Sequence, residues 1–278
     1  MRVAFIANTK AAGVAAAAED IRHTLCELGA QVLLPPKDVA FPDSASDELL
    51  ATCDVAIALG GDGTIIHTAK RAARCNRPVL GINCGRLGFT AGLEADEREQ
   101  LAALLNGQYA VEQRMMLQVR VRFKDGSVLD FHALNEAVIA RGIQSPMVEL
   151  EVTSGQEHVL NYRADGIILA TPTGSTAYSL SAGGPIIDPA VSCILLTPIC
   201  AHSLVARSFI FDQQAHLFVR TCLHREEEVY LSVDGEDSVR IGPYDRIEVF
   251  RANLSAQLIK IKELPFYQIL DEKLASRR

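Results

Sequence analysis

The sequence has no uninterrupted apolar run near the roughly 18 residues that a membrane-spanning helix needs. Residues 1–29 are rich in alanine, but charged residues such as Arg2, Lys10 and Glu19 interrupt them, so they lack the apolar core of a signal peptide. The 27 lysine and arginine residues are scattered and the formal net charge is -7, so no basic stripe predicts nucleic-acid binding. We therefore expect a soluble protein without membrane or nucleic-acid partners.

Closely spaced cysteine pairs are also absent. The seven cysteines are odd in number and never form a C-x-x-C pair, so neither a disulfide framework nor a structural zinc site is predicted. Most of them have apolar neighbours, as Cys193 does, and there a thiol usually serves as a small buried side chain. This usage favours a reducing compartment, and we expect a cytoplasmic location.

Strand and helix signals alternate in the first part of the chain. Helical periodicity places Ile21, Leu25 and Leu28 on one face before Gly29, and further helical patterns cover 64–75 and 97–106. Apolar runs predict strands at 2–7, 31–34, 54–59 and 78–82. This alternation predicts a parallel sheet covered by helices.

Short alternating runs follow from residue 115 and predict antiparallel strands. The predicted strands are 115–122, 128–134, 148–153, 158–163, 166–170, 216–223, 228–233, 246–251 and 257–261. We therefore predict an α/β domain over residues 1–110 and a mainly-β domain over 111–262. Residues 263–278 form a terminal segment that returns toward the first domain.

The segment Gly60-Gly61-Asp62-Gly63-Thr64 follows a predicted strand and opens a predicted helix. Its glycines let backbone N–H groups approach phosphate oxygens, and the helix N-terminus adds positive potential, so an anion can be held without a lysine. A carboxylate among such amides makes sense if it orients a hydroxyl nucleophile or meets a metal ion. Asp62 therefore indicates phosphoryl transfer, the alternative being a tight turn in which Asp62 or Thr64 caps the helix. The spacing matches neither the dinucleotide-binding fingerprint nor the P-loop.

Two further segments carry glycines or hydroxyls where a ligand could bind. Residues 83–89 form a second glycine loop after a predicted strand, so the two loops should share one edge of the sheet and form a crevice. Residues 171–185 are dense in hydroxyls and glycines and include Tyr178. Such groups can bind an adenine or ribose edge, the alternative being a surface loop rich in serine and threonine.

Together these segments resemble the NAD kinase family over nearly the whole chain. The matching segments are Gly60–Thr64, Asn83-x-Gly85-x-Leu87-Gly88-Phe89, Asn135-Glu136, Ala164-Asp165-Gly166 with 171–185, and 198–204. The resemblance implies a Rossmann-like N-terminal domain, a C-terminal β-sandwich domain, an active site between them and a homodimer or homotetramer. It also implies transfer of a phosphoryl group from ATP or polyphosphate to the 2′-hydroxyl of the adenosine ribose of NAD, with Mg²⁺. The glycine loop alone also resembles lipid and sugar kinases, so a related kinase or a non-catalytic dinucleotide-binding regulator remains an alternative.

Carried over residue by residue, the resemblance makes Asp62 the group that orients or deprotonates the ribose hydroxyl. Asn135 and Glu136 would contact ribose hydroxyls, Asp165 would reach the nicotinamide end and Phe89 would pack on the dinucleotide. The phosphate loop would be Gly60, Gly61, Gly63 and Thr64. The other positions expected to contact substrate are Gly63, His67, Arg163, Thr173, Thr176, Ala177, Tyr178, Ser179, Leu180, Ser181, Cys200 and Glu236. Relatives often carry glutamine where this chain has Glu236.

Overall fold

A computed structural model describes residues 1–11, 13–36, 39–85, 88–203, 206–222, 228–236, 238–262 and 265–275, apart from the side chain of residue 274. The chain divides into two compact units, one formed by residues 1–114 and 255–278 and the other by residues 115–254. The domain limits predicted at 110 and 262 stay predictions. Within the described residues, no helix has both the length and the apolar character needed to cross a membrane.

The first unit is a parallel sheet flanked by helices. Its strands are β1 (Arg2–Ala7), β2 (Gln31–Leu33), β3 (Val55–Gly60), β4 (Val79–Asn83) and β5 (Leu93–Glu94). Its helices are α1 (Val14–Glu27), α2 (Asp47–Thr52), α3 (Asp62–Arg74), α4 (Leu101–Leu105), which follows a 3-10 turn at Arg98–Gln100, and the C-terminal helix α6 (Phe266–Ala275). The strands are ordered β2-β1-β3-β4. Every residue of β3 and β4 is buried, as expected where both faces of a parallel sheet are covered.

Helix α1 shows how the periodic pattern is used. Ile21 and Leu25 are buried against the sheet, as predicted. Leu28, however, is 42% exposed, because the helix ends at Glu27 and the chain leaves the helical path before that side chain can reach the core. Val14, about two turns before Ile21 on the same face, is the third buried residue of the helix.

The second unit contains two antiparallel sheets. Its strands are β6 (Ala110–Arg122, which begins in the first unit), β7 (Val128–Ala133), β8 (Glu136–Arg141), β9 (Val148–Ser154), β10 (Glu157–Ala164), β11 (Gly166–Ala170), β12 (Cys193–Ile199), β13 (Phe209–Asp212), β14 (Leu217–Thr221), β15 (Val229–Val233), β16 (Val239–Ile241) and the first part of β17 (Arg246–Lys260). One sheet is ordered β13-β12-β11-β8-β15-β16, and the other contains β10-β9-β14-β17 and the β6-β7 pair. A short helix α5 (Tyr178–Ser181) follows a 3-10 turn at Gly174–Thr176.

The two sheets of this unit share one hydrophobic core, which makes it a β-sandwich. Alternate residues of β11 show the arrangement, since Ile167 and Leu169 join the core that includes side chains of the other sheet, such as Val152. Ile168 and Ala170 face the opposite way, where Ile187 and other apolar side chains cover them. Strand β11 is therefore buried on both faces.

Some predicted boundaries are wrong. The predicted strands 246–251 and 257–261 are parts of one strand, β17, because neither glycine nor proline interrupts the chain between them. Strands β5, β8, β12, β13 and β16 were not predicted from the sequence. The strand predicted at 216–223 ends at Thr221, and Leu223 lies outside the described residues.

Candidate active site

The predicted phosphate loop joins the end of β3 to the start of α3. Gly61 occupies the N-cap position and Asp62 is the first helical residue. A side chain at Gly60 would come within 2.6 Å of the Thr64 hydroxyl, so this glycine is required by the fold itself. At Gly61 and Gly63, in contrast, an added Cβ would meet nothing within 4 Å. The protein does not need these two glycines for its own packing, and they leave the amide-bearing helix N-terminus open.

The Asp62 carboxylate is held from two sides yet remains accessible. The Thr90 hydroxyl donates to Oδ1 at 2.9 Å, and the Lys273 ammonium lies 3.6 Å from Oδ2, while 44% of the aspartate side chain is exposed. A Cβ at Gly88 would lie 2.0 Å from Oδ1, so a larger residue there would displace the carboxylate. The second glycine loop therefore lies against the first, as predicted, although Arg86 and Leu87 lie outside the described residues.

Two lysines from the last part of the chain, Lys260 of β17 and Lys273 of α6, lie near this carboxylate, and neither was predicted as a site residue. Lys273 also lies over the Phe89 ring, with Nζ 4.5 Å from the ring centroid. Lys260 donates to the Ala91 carbonyl at 2.7 Å. Burial lowers the pKa of Lys260 to about 8, partly opposed by the negative charges of Glu112 and Asp62.

His67 and Thr64, two other predicted site residues of this unit, have packing contacts. The His67 ring meets the Phe41 ring edge to face at a centroid distance of 5.1 Å. Thr64 is buried beneath the turn, and its amide donates to the Gly61 carbonyl at 3.0 Å. Their described contacts are those of residues that support the loop.

In the second unit, one aspartate organises the Asn135-Glu136 pair. The Asp234 carboxylate accepts three backbone N–H bonds, from Leu134, Asn135 and Glu136, at 2.8 to 2.9 Å. The Asp234 amide returns a bond to the Glu136 carbonyl at 2.9 Å. Asp234 is not among the site residues predicted from the sequence. The signal that could have found it is a carboxylate at a turn directly after a buried strand.

Glu136 is the most strongly perturbed acid among the candidate residues. Its side chain is only 8% exposed, and Oε2 has no hydrogen-bond partner among the described residues. The pKa of Glu136 is raised to about 8, mainly by burial and also by the Asp234 charge, although the hydrogen bond from the Tyr178 backbone amide lowers it. A buried carboxyl with an unused oxygen suits recognition of a ligand hydroxyl.

Several hydroxyls of segment 171–185 are already bonded to other groups of the protein. Ser175 donates to the Pro172 carbonyl and accepts from the Ile187 amide, and Thr176 donates to the Thr173 carbonyl. The buried Ser179 hydroxyl pairs with that of Thr197 at 2.8 Å. Residues 177, 180 and 181 are at least partly exposed, and Tyr178 is 44% exposed.

This segment is fitted closely to the Asn135-Glu136 turn. A Cβ at Gly174 would lie 2.2 Å from the Asn135 carbonyl oxygen, so glycine is required there. The Thr171 amide donates to the same carbonyl at 2.8 Å. Thr173, which was predicted to contact substrate, is buried beside this junction. The structure thus brings Asn135, Glu136 and helix α5 together.

The other residues of the second unit that were predicted to bind substrate have described contacts elsewhere, not with the Asn135-Glu136 turn or α5. Asp165 forms an ion pair with Arg141 at 2.6 Å, while Arg163 is exposed on β10. Cys200 is exposed with a positive φ of 47°. Glu236 is exposed, and its carbonyl accepts from the Ser232 hydroxyl at 2.9 Å. The matched segment 198–204 ends at Leu204, which lies outside the described residues.

Comparison with known proteins identifies the family of this chain. The family models for the ATP-NAD kinase N-terminal and C-terminal domains match residues 35–109 and 134–261. The NAD kinase of Symbiobacterium thermophilum is 45% identical over 264 residues, covering 92% of this chain and 93% of that protein. The NAD kinase of Desulforamulus reducens is 38% identical over 279 residues, covering 98% and 96%.

Solved structures with the same fold include yeast NADH kinase complexed with NADH, at a TM-score of 0.87 and 26% identity over 99% of this chain and 87% of that one. The NAD kinase from Archaeoglobus fulgidus in complex with ATP aligns at a TM-score of 0.77 and 26% identity, covering 99% of both chains. The predicted α/β domain and mainly-β sandwich domain are thereby confirmed. The matches to both domain models and to relatives over nearly their full length show that this chain belongs to the NAD kinase family.

Proposed function

We propose that this chain transfers the terminal phosphoryl group of ATP to the 2′-hydroxyl of the adenosine ribose of NAD, giving NADP, with Asp62 as the group that accepts the hydroxyl proton. The observation that carries the proposal is the exposed Asp62 carboxylate, held by Thr90 and Lys273 beside Gly88 at the open N-terminus of α3. A capping residue needs no such support from a second loop.

The chemistry follows from this position. The ribose hydroxyl donates its proton toward Asp62 while its oxygen attacks the terminal phosphorus, and the bond from that phosphorus to the leaving ADP oxygen breaks. The backbone amides of Gly61 and Gly63 would face the donor phosphates, since neither residue has a side chain in the way. Backbone amides bind phosphate whatever is attached to it, so polyphosphate fits the same loop.

Mg²⁺ fits the donor set. In proteins this ion usually takes one or two carboxylates together with substrate phosphates and water. The accessible Asp62 carboxylate can supply one such oxygen beside the amides that face the phosphates. When bound, Mg²⁺ would shield the phosphate charge as the hydroxyl approaches.

The acceptor is assigned to the Asn135-Glu136 turn and the segment around α5. The Glu136 carboxyl would accept from ribose hydroxyls, and its Oε2 atom, unused by the described residues, supports this role. The Tyr178 ring is exposed and can pack on adenine. Asp165 at the nicotinamide end would have to exchange part of its bond with Arg141 for the ligand.

The alternatives lose support because the family match includes the C-terminal domain, residues 134–261, whereas the sequence likeness to lipid and sugar kinases is confined to the glycine loop. A non-catalytic regulator would have no use for the supported Asp62 carboxylate. Cytoplasmic location and a homodimer or homotetramer stay part of the proposal, and sedimentation of the purified protein tests the second.

The test is the Asp62→Asn variant, assayed for NADP formation from ATP, Mg²⁺ and NAD. An amide can cap a helix but cannot accept the proton, so turnover should fall by about a hundred- to ten-thousand-fold. The melting temperature and the dissociation constant of NAD are measured in parallel and should change little. A folded, NAD-binding variant that retains turnover within about tenfold of the parent would rule out the role given to Asp62.

A further inference from the structure

The C-terminal helix brings a cation to the candidate phosphoryl-transfer site. Lys273 lies in the last turns of α6, with Nζ 3.6 Å from the Asp62 Oδ2 atom, and its side chain is 22% exposed. Thr90 holds the other oxygen of the same carboxylate. The two carboxylate oxygens thus have different partners, which fixes the plane of the group.

The position of Lys273 is set by more than this ion pair. Phe266 and Lys273 are seven residues apart and so share one face of α6. Both meet Phe89, the Phe266 ring at a centroid distance of 5.9 Å and the Lys273 ammonium at 4.5 Å from the ring centroid. An aromatic face and a carboxylate together give the ammonium a defined site.

The phosphate loop has a use for such a cation. The first turn of α3 contains the acidic residue Asp62 and no lysine or arginine. Donor phosphates would therefore arrive beside a carboxylate of the same sign. A lysine paired with the Asp62 carboxylate offsets the repulsion between that carboxylate and the phosphates. It also keeps the carboxylate oxygen that accepts the proton in one orientation.

We propose that Lys273 is a positioning residue of the phosphoryl-transfer site, and that α6 supplies it. It acts through Asp62, holding the carboxylate in the orientation that receives the acceptor hydroxyl. The inference rests on the function proposed for Asp62 and adds to it a residue that the motif resemblance did not include.

The test compares Lys273→Met and Lys273→Arg with a matched control, Lys262→Met, which removes a nearby lysine of the same unit that pairs with Glu97. We expect Lys273→Met to lower kcat by about ten- to a hundredfold, with the KM for NAD changed less than about threefold. Lys273→Arg should recover most of the loss, and Lys262→Met should match the parent. Equal kcat values for Lys273→Met and the parent would overturn the proposal.

A double-mutant cycle with Asp62→Asn separates positioning from a general structural effect. If Lys273 acts through Asp62, the double variant Asp62→Asn/Lys273→Met should be no slower than Asp62→Asn alone. Losses that multiply would refute the proposal, because they would show that Lys273 acts independently. Melting temperatures show whether each variant is folded. If Lys273→Met does not fold, Lys273→Gln is measured in its place. An inactive parent would contradict the proposed function itself, whereas an active parent indifferent to Lys273 would contradict only this inference.

Discussion

Replacing Glu136 by glutamine should change how the stability of the protein depends on pH. The pKa of Glu136 rises from its ordinary value of 4.5 to about 8 in the folded chain. The folded state therefore holds a proton that the unfolded state has lost between these two pH values. Stability must fall as pH rises through that window and level off above about pH 8.

The size of this effect follows from the same two values. A tenfold change in an ionisation constant corresponds to about 1.4 kcal/mol, so ionising the buried group costs on the order of 5 kcal/mol in full. Most of this, about 4 kcal/mol, falls between pH 5 and pH 9. Because the side chain is only 8% exposed, solvent screening removes little of it. Glu136→Gln has no proton to lose, so its unfolding free energy should lack this decline.

Urea unfolding of the parent and of Glu136→Gln at several pH values measures the difference directly. Glu157→Gln is the matched control, because Glu157 is an exposed glutamate of the same unit. The unfolding free energy of Glu136→Gln minus that of the parent should rise with pH. The same difference for Glu157→Gln should not change with pH. Parallel curves for the parent and Glu136→Gln would refute the reasoning.

The same proton reports on ligand binding. If ribose hydroxyls donate to the Glu136 carboxylate, NAD favours the ionised form and binding near pH 7 should release up to one proton. Calorimetry in buffers of different ionisation enthalpy detects that release, and Glu136→Gln should abolish it. Proton release unchanged in the variant would place the titrating group elsewhere.

Two further substitutions test the two halves of the proposed site. Gly61→Val should fold normally, because an added Cβ meets no atom within 4 Å. It should nevertheless abolish turnover by covering the amides proposed to bind phosphate, and Gly61→Ala should have intermediate activity. A Gly61→Val variant as active as the parent would place the phosphate elsewhere. Asn135→Ala should weaken NAD binding by about 1–3 kcal/mol in calorimetry if a buried partner is left unsatisfied, and an unchanged dissociation constant would contradict the assignment.

The first unit could be predicted well from the sequence because its signals are local. A buried apolar strand, a glycine turn and an amphipathic helix follow each other directly in β3, Gly61 and α3, and the structure places them as expected. The contact between Asp62 and Gly88 could be expected too, since neighbouring parallel strands end at one sheet edge. Local patterns therefore fixed both glycine loops.

Lys273 and Asp234 show what such patterns cannot give. Each acts on residues about a hundred or more positions away along the chain, Lys273 on Asp62 and Asp234 on the Asn135-Glu136 turn. No spacing rule connects a residue in a terminal helix with a loop in the first hundred residues. The same holds for the burial of Glu136, which depends on how α5 and β8 pack and not on its sequence neighbours.

The hydroxyls of segment 171–185 change how adenine recognition must work. Their density suggested direct hydrogen bonding to the ligand, but a hydroxyl has one proton, and Ser175 and Thr176 donate theirs to carbonyls of the segment itself. These two hydroxyls shape the loop, so in the proposed site the base would be contacted by other groups, such as the exposed Tyr178 ring. Since the Tyr178 amide also bonds Glu136, the proposed adenine and ribose sides would be joined before any ligand arrives. A loop already fixed in this way has little conformational entropy left to lose on binding, which favours tight recognition from few direct contacts.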